Sequence, residues 1–220
     1  MKRNELFKGI KACIFDLDGT LVDSLGIWSD IDIRFFKEHG RYVPADYEKR
    51  ISHMNFIEMA EFTKEEYGFE ESVDAIARKW LDWSIEAYQK DIKAKPGAKE
   101  FLEYVKSLGL PIALATTNKK ELYEPCLENN DMWKYFSFAL NVNEINSKKS
   151  EPKIYQLLAE KMNAKPEETI VFEDILMAVK TAHNAGFKVA AVFDQRNKRD
   201  IDEIIENSDF YITSYNDLEK

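Results

Sequence analysis

The sequence predicts an α/β protein whose core is a three-layer, Rossmann-like parallel sheet, with an all-helical cap inserted into it. Short apolar runs alternate with helical patterns in the second part of the chain, which is typical of a parallel sheet. Residues 24–89, in contrast, read almost wholly as helix, and helices without intervening strands indicate a separate compact bundle. The predicted domains are an α/β core of residues 1–22 and 95–220 and a helical cap of residues 23–94.

The first predicted strand is the unbroken apolar run 12–15, as expected of a strand buried on both faces. Within the cap the predicted helices are residues 24–40, 55–67 and 72–88, with a connector or short helix at 44–51. Ser24 is a candidate N-cap, and Trp80 and Trp83 are predicted to lie in the cap's core because they recur at helical spacing.

The pattern changes after residue 95, where strands and helices alternate. The predicted helices are residues 98–108, 120–128, 151–162, 174–185 and 200–206, and the predicted strands are residues 111–115, 136–140, 169–172, 189–193 and 210–212. Pro152 is compatible with this reading because proline is tolerated in the first turn of a helix.

Composition excludes several classes of protein. The formal net charge of −9 argues against a nucleic-acid partner. No apolar segment approaches the roughly 20 residues that span a bilayer, so we expect no membrane association. Residues 1–8 show no secretory signal, and Cys13 and Cys126 have the placement of reduced core thiols, so we expect a cytoplasmic protein. We also expect a monomer or a weak homodimer.

Two carboxylates, Asp16 and Asp18, follow the first strand directly, and Gly19 then permits an abrupt turn. Open α/β sheets bind ligands at the carboxyl ends of their strands. Two close carboxylates repel each other, and a bound Mg²⁺ would relieve this repulsion. An ordinary turn is the alternative interpretation. A calcium loop of the EF-hand kind is excluded, because Leu21 stands where that loop requires glycine.

Further polar groups follow two other strands of the predicted sheet. Thr116, Thr117, Asn118 and Lys119 follow the second long strand and lead into a helix N-terminus, which suits phosphate oxygens. Glu173 and Asp174 follow the strand 169–172, and Lys149 precedes a helix. The pairs Lys119-Lys120 and Lys148-Lys149 are candidates for the positive charge that an anionic substrate needs. Because parallel strands end at one edge, these groups are predicted to share a pocket.

Four segments together resemble the motifs of the haloacid dehalogenase superfamily, in the expected order. They are the first motif at residues 14–20, the second at 114–116, the third at 149–155 and the fourth at 171–174. The chain is most similar to the phosphatase and β-phosphoglucomutase branch, which carries a helical cap after the first motif. The third motif departs from the usual pattern at Ser150, where proline is common. The fourth departs at Ile175 and Ala178, which puts the packing of the following helix in question.

The resemblance implies a mechanism for phosphoryl transfer. Asp16 would be the nucleophile, and Asp18 the general acid and base. Thr116 and Lys149 would hold the transferring phosphoryl group, with Thr117, Asn118 and Lys119 as further substrate-binding residues.

The resemblance also implies a Mg²⁺ ion. Its ligands would be the Asp16 carboxylate, the backbone carbonyl of Asp18 and the Asp174 carboxylate, with Glu173 a ligand directly or through water. The acid at position 18 favours phosphoryl transfer over carbon–halogen cleavage.

The predicted activity is therefore Mg²⁺-dependent hydrolysis of a small phosphorylated metabolite. Two alternatives remain: a sugar phosphomutase and a non-catalytic module that binds a phosphorylated ligand. Mutases of this family usually carry histidine where Trp28 stands, and His53 is the candidate for their basic cap residue. We interpret Trp28 as cap packing and His53 as an exposed loop residue.

Overall fold

The computed structural model of the chain describes residues 3–24, 26–51, 54 and 56–219. The chain divides into two compact units, one of Met1–Leu25 with Ile92–Lys220 and the other of Gly26–Asp91. The first unit contains the sheet, and the described residues of the second form helices and loops. Within the described residues, no helix has both the length and the apolar character needed to cross a membrane.

A six-stranded parallel sheet forms the centre of the first unit. The strands of the described chain are β1 (Ala12–Phe15), β2 (Val22–Asp23), β3 (Lys93–Ala94), β4 (Ile112–Thr116), β5 (Phe138–Asn141), β6 (Thr169–Glu173), β7 (Lys188–Val192) and β8 (Phe210–Ile212). The sheet order is β5-β4-β1-β6-β7-β8, and every pairing in it is parallel. This confirms the predicted fold class.

The central strand explains the apolar run at the start of the sequence. Ile14 pairs with Ala113 of β4 on one side and with Val171 of β6 on the other. All four residues of β1 have no exposed surface, because helices cover both faces of the sheet. Cys13 in β1 and Cys126 are free and buried, as predicted.

Helices account for most of the remaining chain. They are α1 (Arg3–Leu6), α2 (Ile27–Glu38), α3 (Tyr47–Ile51), α4 (Phe56–Tyr67), α5 (Val73–Lys90), α6 (Ala98–Ser107), α7 (Lys120–Asn129), α8 (Lys153–Lys161), α9 (Leu176–Asn184) and α10 (Ile201–Glu206). Helices α8 and α9 each begin two residues later than predicted. At α9 the reason is that Ile175 keeps an extended backbone, with φ −91° and ψ 126°.

The side chains of β1 alternate between two layers of helices. Ala12 and Ile14 belong to a buried cluster with residues of α8, α9 and α10, among them Leu158. Phe15 faces the other way, where its ring lies 6.2 Å from that of Phe101 of α6 and stacks on Phe172 at 4.1 Å. These contacts give the three layers that the sequence predicts.

The second unit has its own aromatic core. Phe35 of α2 meets Trp80 of α5 at 5.5 Å and Phe69 at 4.9 Å between ring centroids, both edge to face. Trp80 is buried, as predicted. Trp83, predicted to be core as well, is only half-buried, and the guanidinium of Arg34 lies over its ring at 4.2 Å.

Ser24 does not cap α2, so that prediction is wrong. The N-cap is Gly26, with φ 96° and no side-chain cap bond, and Ser24 is buried two residues earlier. Trp28 packs only in part, because its ring meets Phe56 edge to face at 6.1 Å while 43% of the residue is exposed. His53 lies outside the described residues.

A two-stranded antiparallel ribbon of β2 and β3, which we did not predict, joins the segments that lead out of the first unit and back into it. Val22 pairs with Ala94 and Asp23 with Lys93. The two ends of the segment 26–91 therefore leave the first unit side by side.

Candidate active site

The carboxyl ends of three neighbouring strands bring the predicted site residues to one edge of the sheet. Asp16 follows β1, Thr116 ends β4, and Glu173 ends β6 with Asp174 directly after it. Strands β4 and β6 are the two neighbours of β1, and all three run in parallel. The sheet order therefore places these residues together, as the crevice rule for open α/β sheets predicts.

The turn after β1 depends on Gly19, whose φ is +81°. The amide of Gly19 donates to the carbonyl of Val22 at 3.0 Å, and the amide of Leu21 donates to the carbonyl of Leu17 at 2.8 Å. Leu17 is fully buried between the two aspartates. This anchored turn fixes the backbone that carries Asp16 and Asp18.

Three buried acids form a cluster at this edge. Asp16, Glu173 and Asp174 each offer a carboxylate oxygen, and these oxygens lie within 4.8 Å of one another. Burial, reinforced by the charges of Asp16 and Glu173, raises the pKa of Asp174 well above its ordinary value. Burial also raises the pKa of Glu173, although Lys149 opposes that shift. The cluster is a site that a cation would stabilise.

Lys149 supplies one cation to the cluster. Its Nζ donates to Asp16 Oδ1 at 2.7 Å and also to Glu173 Oε1, which accepts a second bond from the hydroxyl of Tyr155 at 2.7 Å. Burial by itself would lower the pKa of Lys149. Asp16 and Glu173 outweigh burial and raise that pKa, so the amine remains protonated.

The donor set fits a divalent cation. Glu173 Oε2 is buried and has no hydrogen-bond partner among the described residues, although its other oxygen has two. A buried carboxylate oxygen without a donor is costly. Oxygen ligands from a few carboxylates are what Mg²⁺ prefers. The remaining charge and the unpartnered oxygen are both explained if the cluster binds such an ion.

Asn118 joins the second strand end to the first. Its backbone amide donates to Thr116 Oγ1 at 3.1 Å, and its side-chain amide donates to Asp18 Oδ2 at 2.5 Å. Asp18 therefore directs its carboxylate toward the loop after β4, and its side chain does not belong to the three-acid cluster found among the described residues. Thr116, Asn118 and Asp18 form one connected group.

The remaining predicted residues lie outside these contacts. Thr117 and Lys119 are exposed on either side of Asn118 in the sequence. Lys148 is exposed as well, and the exposed Lys120 pairs with Glu124 at 3.2 Å. Lys149 is the member of the two lysine pairs that contacts the acids. A substrate-binding role for Thr117, Asn118 and Lys119 stays a prediction.

Two further residues reach Asp174 from the loop after β7, which contains a short 3-10 helix at Gln195–Asp200, and the sequence reading missed both. Asn197 donates to Asp174 Oδ2 at 2.7 Å, and Arg196 Nη2 lies 3.6 Å from the same oxygen. Polar residues after a strand resemble any surface loop, so the sequence contains no local signal for these contacts.

Comparison with known proteins gives a consistent picture. A family model described as haloacid dehalogenase-like hydrolase matches residues 13–192. A phosphorylated carbohydrates phosphatase of Thermotoga maritima is 28% identical, over 81% of this chain and 83% of that protein. A phosphoglycolate phosphatase of Shigella dysenteriae is 26% identical, over 82% and 80%. A solved structure of a candidate β-phosphoglucomutase from Thermotoga maritima matches with a TM-score of 0.83 and 26% identity, covering 94% of this chain and 95% of that one.

Proposed function

This chain belongs to the haloacid dehalogenase-like hydrolase family and is a phosphoric monoester hydrolase, and from this premise we propose that it hydrolyses a small phosphorylated metabolite through a phosphoenzyme on Asp16. The observation that carries the proposal is the placement of Lys149, 2.7 Å from Asp16, within a cluster of three buried acids. A sugar phosphate is the first candidate substrate, because one relative is named for phosphorylated carbohydrates.

Asp16 is the proposed nucleophile because it is buried, yet paired with a protonated amine that holds one of its oxygens. A carboxylate oxygen of Asp16 would form a bond to phosphorus while the bond from phosphorus to the ester oxygen breaks. Lys149 would stabilise the charge on the phosphoryl oxygens during this step. The buried hydroxyl of Thr116, at the neighbouring strand end, would hold a phosphoryl oxygen as well.

Asp18 is the proposed general acid and base. It would give a proton to the leaving oxygen in the first step and take one from the attacking water in the second. That water breaks the bond between phosphorus and Asp16 and releases inorganic phosphate. The hydrogen bond from Asn118 to Asp18 Oδ2 fixes the orientation of this carboxylate, so Asn118 supports the proton transfer through Asp18.

Mg²⁺ is the proposed cofactor, and Asp16, Glu173, Asp174 and the backbone carbonyl of Asp18 would hold it. When bound, the ion would neutralise part of the negative charge of the acids and of the phosphoryl group. Because the acids are buried and Glu173 Oε2 lacks a donor among the described residues, the protein provides the ligands and leaves this charge unbalanced without an ion.

The second candidate function is a sugar phosphomutase, which the likeness to the candidate β-phosphoglucomutase supports. Trp28 stands where such enzymes usually carry histidine, and this favours the hydrolase. A mutase would need a bisphosphate activator and would release phosphate slowly. A non-catalytic binding module is less favoured, because such a module has no chemical need for both Asp16 and Asp18.

The helical unit is proposed to act as a cap that selects the organic part of the substrate. Within that unit, a cavity of about 810 Å³ is lined by residues of α2, α3 and the loop between them, including Trp28, Asp32 and Tyr47. A cytoplasmic location and a monomeric or weakly dimeric state are parts of the same proposal.

A panel of phosphorylated metabolites, assayed for phosphate release with Mg²⁺ and with a chelator, tests this function. We expect Mg²⁺-dependent release from at least one sugar phosphate, and loss of that release in Asp16→Asn by on the order of 10³-fold or more. A mutase would instead release phosphate slowly and would isomerise the sugar phosphate when a sugar bisphosphate is added. Full activity of Asp16→Asn would refute the assignment of Asp16 as the nucleophile. A protein that turns over no compound of the panel would refute the proposed hydrolase activity.

A further inference from the structure

The loop after β7 places one hydrogen-bond donor and one guanidinium beside the same oxygen of Asp174. Asn197 Nδ2 donates to Oδ2 at 2.7 Å, and Arg196 Nη2 lies 3.6 Å from the same atom. The other oxygen, Oδ1, accepts a longer bond of 3.4 Å from the hydroxyl of Thr20. The short contact to Asn197 therefore determines which way the carboxylate faces.

The loop itself is anchored by Asp194, which is 4% exposed. Asp194 Oδ1 accepts from the backbone amide of Arg196 at 3.1 Å and from its Nε at 2.8 Å. Its second oxygen pairs with Lys95 Nζ at 3.0 Å, and Lys95 also donates to the carbonyl of Phe193 at 2.6 Å. Although burial alone would raise the pKa of Asp194, the bonds from Arg196 and Lys95 outweigh it and lower that pKa.

The guanidinium of Arg196 also packs against the turn after β1. A Cβ atom placed on Gly19 would lie 2.2 Å from Arg196 Nη2 and 2.4 Å from Asp174 Oδ2. Arg196 therefore occupies the space that a larger residue at position 19 would need. The loop after β7, the turn that carries Asp16 and Asp18, and the Asp174 carboxylate are in direct contact.

Orientation matters at Asp174 because of its neighbours. Asp174 has no exposed surface and lies beside two other acids, so it gains little from water and is repelled by Asp16 and Glu173. A carboxylate in such a place adopts the rotamer that its donors select. Asn197 donates to Oδ2 and the Arg196 guanidinium forms an ion pair with the same oxygen, which leaves Oδ1 with only the long bond from Thr20 among the described contacts.

We propose that Asn197 and Arg196, anchored by Asp194, are positioning residues that fix the Asp174 carboxylate for a divalent cation. The inference rests on the proposed function only in taking Asp174 as a metal ligand. Both side chains would act through the Asp174 carboxylate that they contact. Partners of this kind, which hold a ligand rather than the metal, typically contribute 10–100-fold in metal affinity or activity.

Direct titration of Mg²⁺ into the substrate-free protein, by calorimetry, tests this role. Asn197→Ala is expected to raise the Mg²⁺ dissociation constant about 10–100-fold, and Arg196→Ala is expected to raise it in the same direction. Asp194→Asn should shift it as well, because the loop loses its anchor. Asn207→Ala is the matched control, since the Asn207 amide donates to the backbone carbonyl of Glu203 and should leave the constant unchanged.

Kinetics separate a positioning role from a loss of structure. With p-nitrophenyl phosphate, Asn197→Ala should need about tenfold more Mg²⁺ for half-maximal rate, whereas KM at saturating Mg²⁺ should stay within about twofold. If the alanine variant does not fold, Asn197→Leu keeps the volume without the donor, with Asn207→Leu as its control.

Mg²⁺ binding within about twofold of wild type in both the folded Asn197 and Arg196 variants would overturn the inference. A wild-type protein that binds no Mg²⁺ would overturn it too. A wild-type protein that binds Mg²⁺ but hydrolyses no phosphomonoester would refute the proposed hydrolase, and weakened binding in the Asn197 variant would then still support the positioning role.

Discussion

Lys149 Nζ lies 2.7 Å from Asp16 Oδ1, although the two residues are 133 positions apart in the sequence. Both are nearly buried, with side-chain exposures of 7% and 8%. The pair therefore forms only when β1 and the segment before α8 are both in place. It links the folding of the sheet to the surroundings of Asp16, the proposed nucleophile, and this link can be tested through stability as well as through activity.

Replacing Lys149 with methionine should destabilise the protein, because it leaves the buried Asp16 and Glu173 without their cation. Breaking a buried pair by removing one partner costs about 3–5 kcal/mol. We expect a lower Tm in metal-free buffer, a larger stabilisation by added Mg²⁺ than wild type shows, and loss of turnover. Thermal unfolding with and without Mg²⁺ measures this.

Lys148→Met is the control for that experiment, since Lys148 is the exposed neighbour in the sequence. It should unfold at the wild-type temperature. An unchanged Tm in Lys149→Met would show that the buried pair contributes nothing to stability.

Asn118→Ala should lower kcat. The bond that Asn118 donates to Asp18 Oδ2, at 2.5 Å, involves a carboxylate, and hydrogen bonds to charged groups contribute about 1.5–3 kcal/mol. If the transition state loses this contribution, kcat should decrease about 10–100-fold. Steady-state kinetics at saturating Mg²⁺ measure it, with Asn207→Ala as control, and a rate within about twofold of wild type would contradict a supporting role for Asn118.

Gly19→Ala should impair Mg²⁺ binding beyond any general loss of stability. Gly9 has nearly the same backbone angle, φ +78° against +81°, but a Cβ there meets nothing within 4 Å. Gly9→Ala therefore measures the backbone strain alone, whereas Gly19→Ala adds the clash with Arg196 and Asp174. Calorimetry should show weaker Mg²⁺ binding in Gly19→Ala only. Equal Mg²⁺ affinities in the two variants would refute the close approach of Arg196 and Asp174 to Gly19.

The stability of the helical unit should depend on the ionisation of Asp32. Burial first, and then the charge of Glu48, raises the pKa of Asp32 from 3.8 to about 7. Because the folded state holds this proton more tightly than the unfolded chain, this group's contribution to stability falls as pH rises from about 4 to about 7. Asp32→Asn removes that dependence, so its Tm relative to wild type should increase between pH 5 and pH 8.

Asp30→Asn, an exposed change on the same helix, is the control for the pH series. A Tm difference between Asp32→Asn and wild type that stays constant with pH would contradict the shifted pKa. Circular dichroism across the pH series provides the measurement.

Much of the core could be predicted because its signals are local. The apolar runs at β1, β4 and β6 mark buried strands, and the polar residues that follow them lie at one edge once the strands are parallel. Asp16, Lys149, Glu173 and Asp174 do come together, while their chemical roles remain predictions.

Other features have no local signal. The β2–β3 ribbon has two residues in each strand, too few for an alternating pattern. Asn197 and Arg196 contact Asp174 only after folding brings the loop after β7 to it, so no pattern in the sequence marks them. Serine is a residue type that suits an N-cap, which is why the sequence favours Ser24, yet the chain turns into α2 only at Gly26.

The pairing of Val22 with Ala94 has a consequence for how proteins with this core diversify. The paired strands β2 and β3 hold the two ends of the segment 26–91 next to each other. A substitute segment of different length could therefore be joined at this ribbon without changing any strand of the six-stranded sheet. The core would keep its chemistry while the graft changed its substrate. Under the proposed role of the helical unit, chimeras joined at this ribbon would transfer selectivity between relatives.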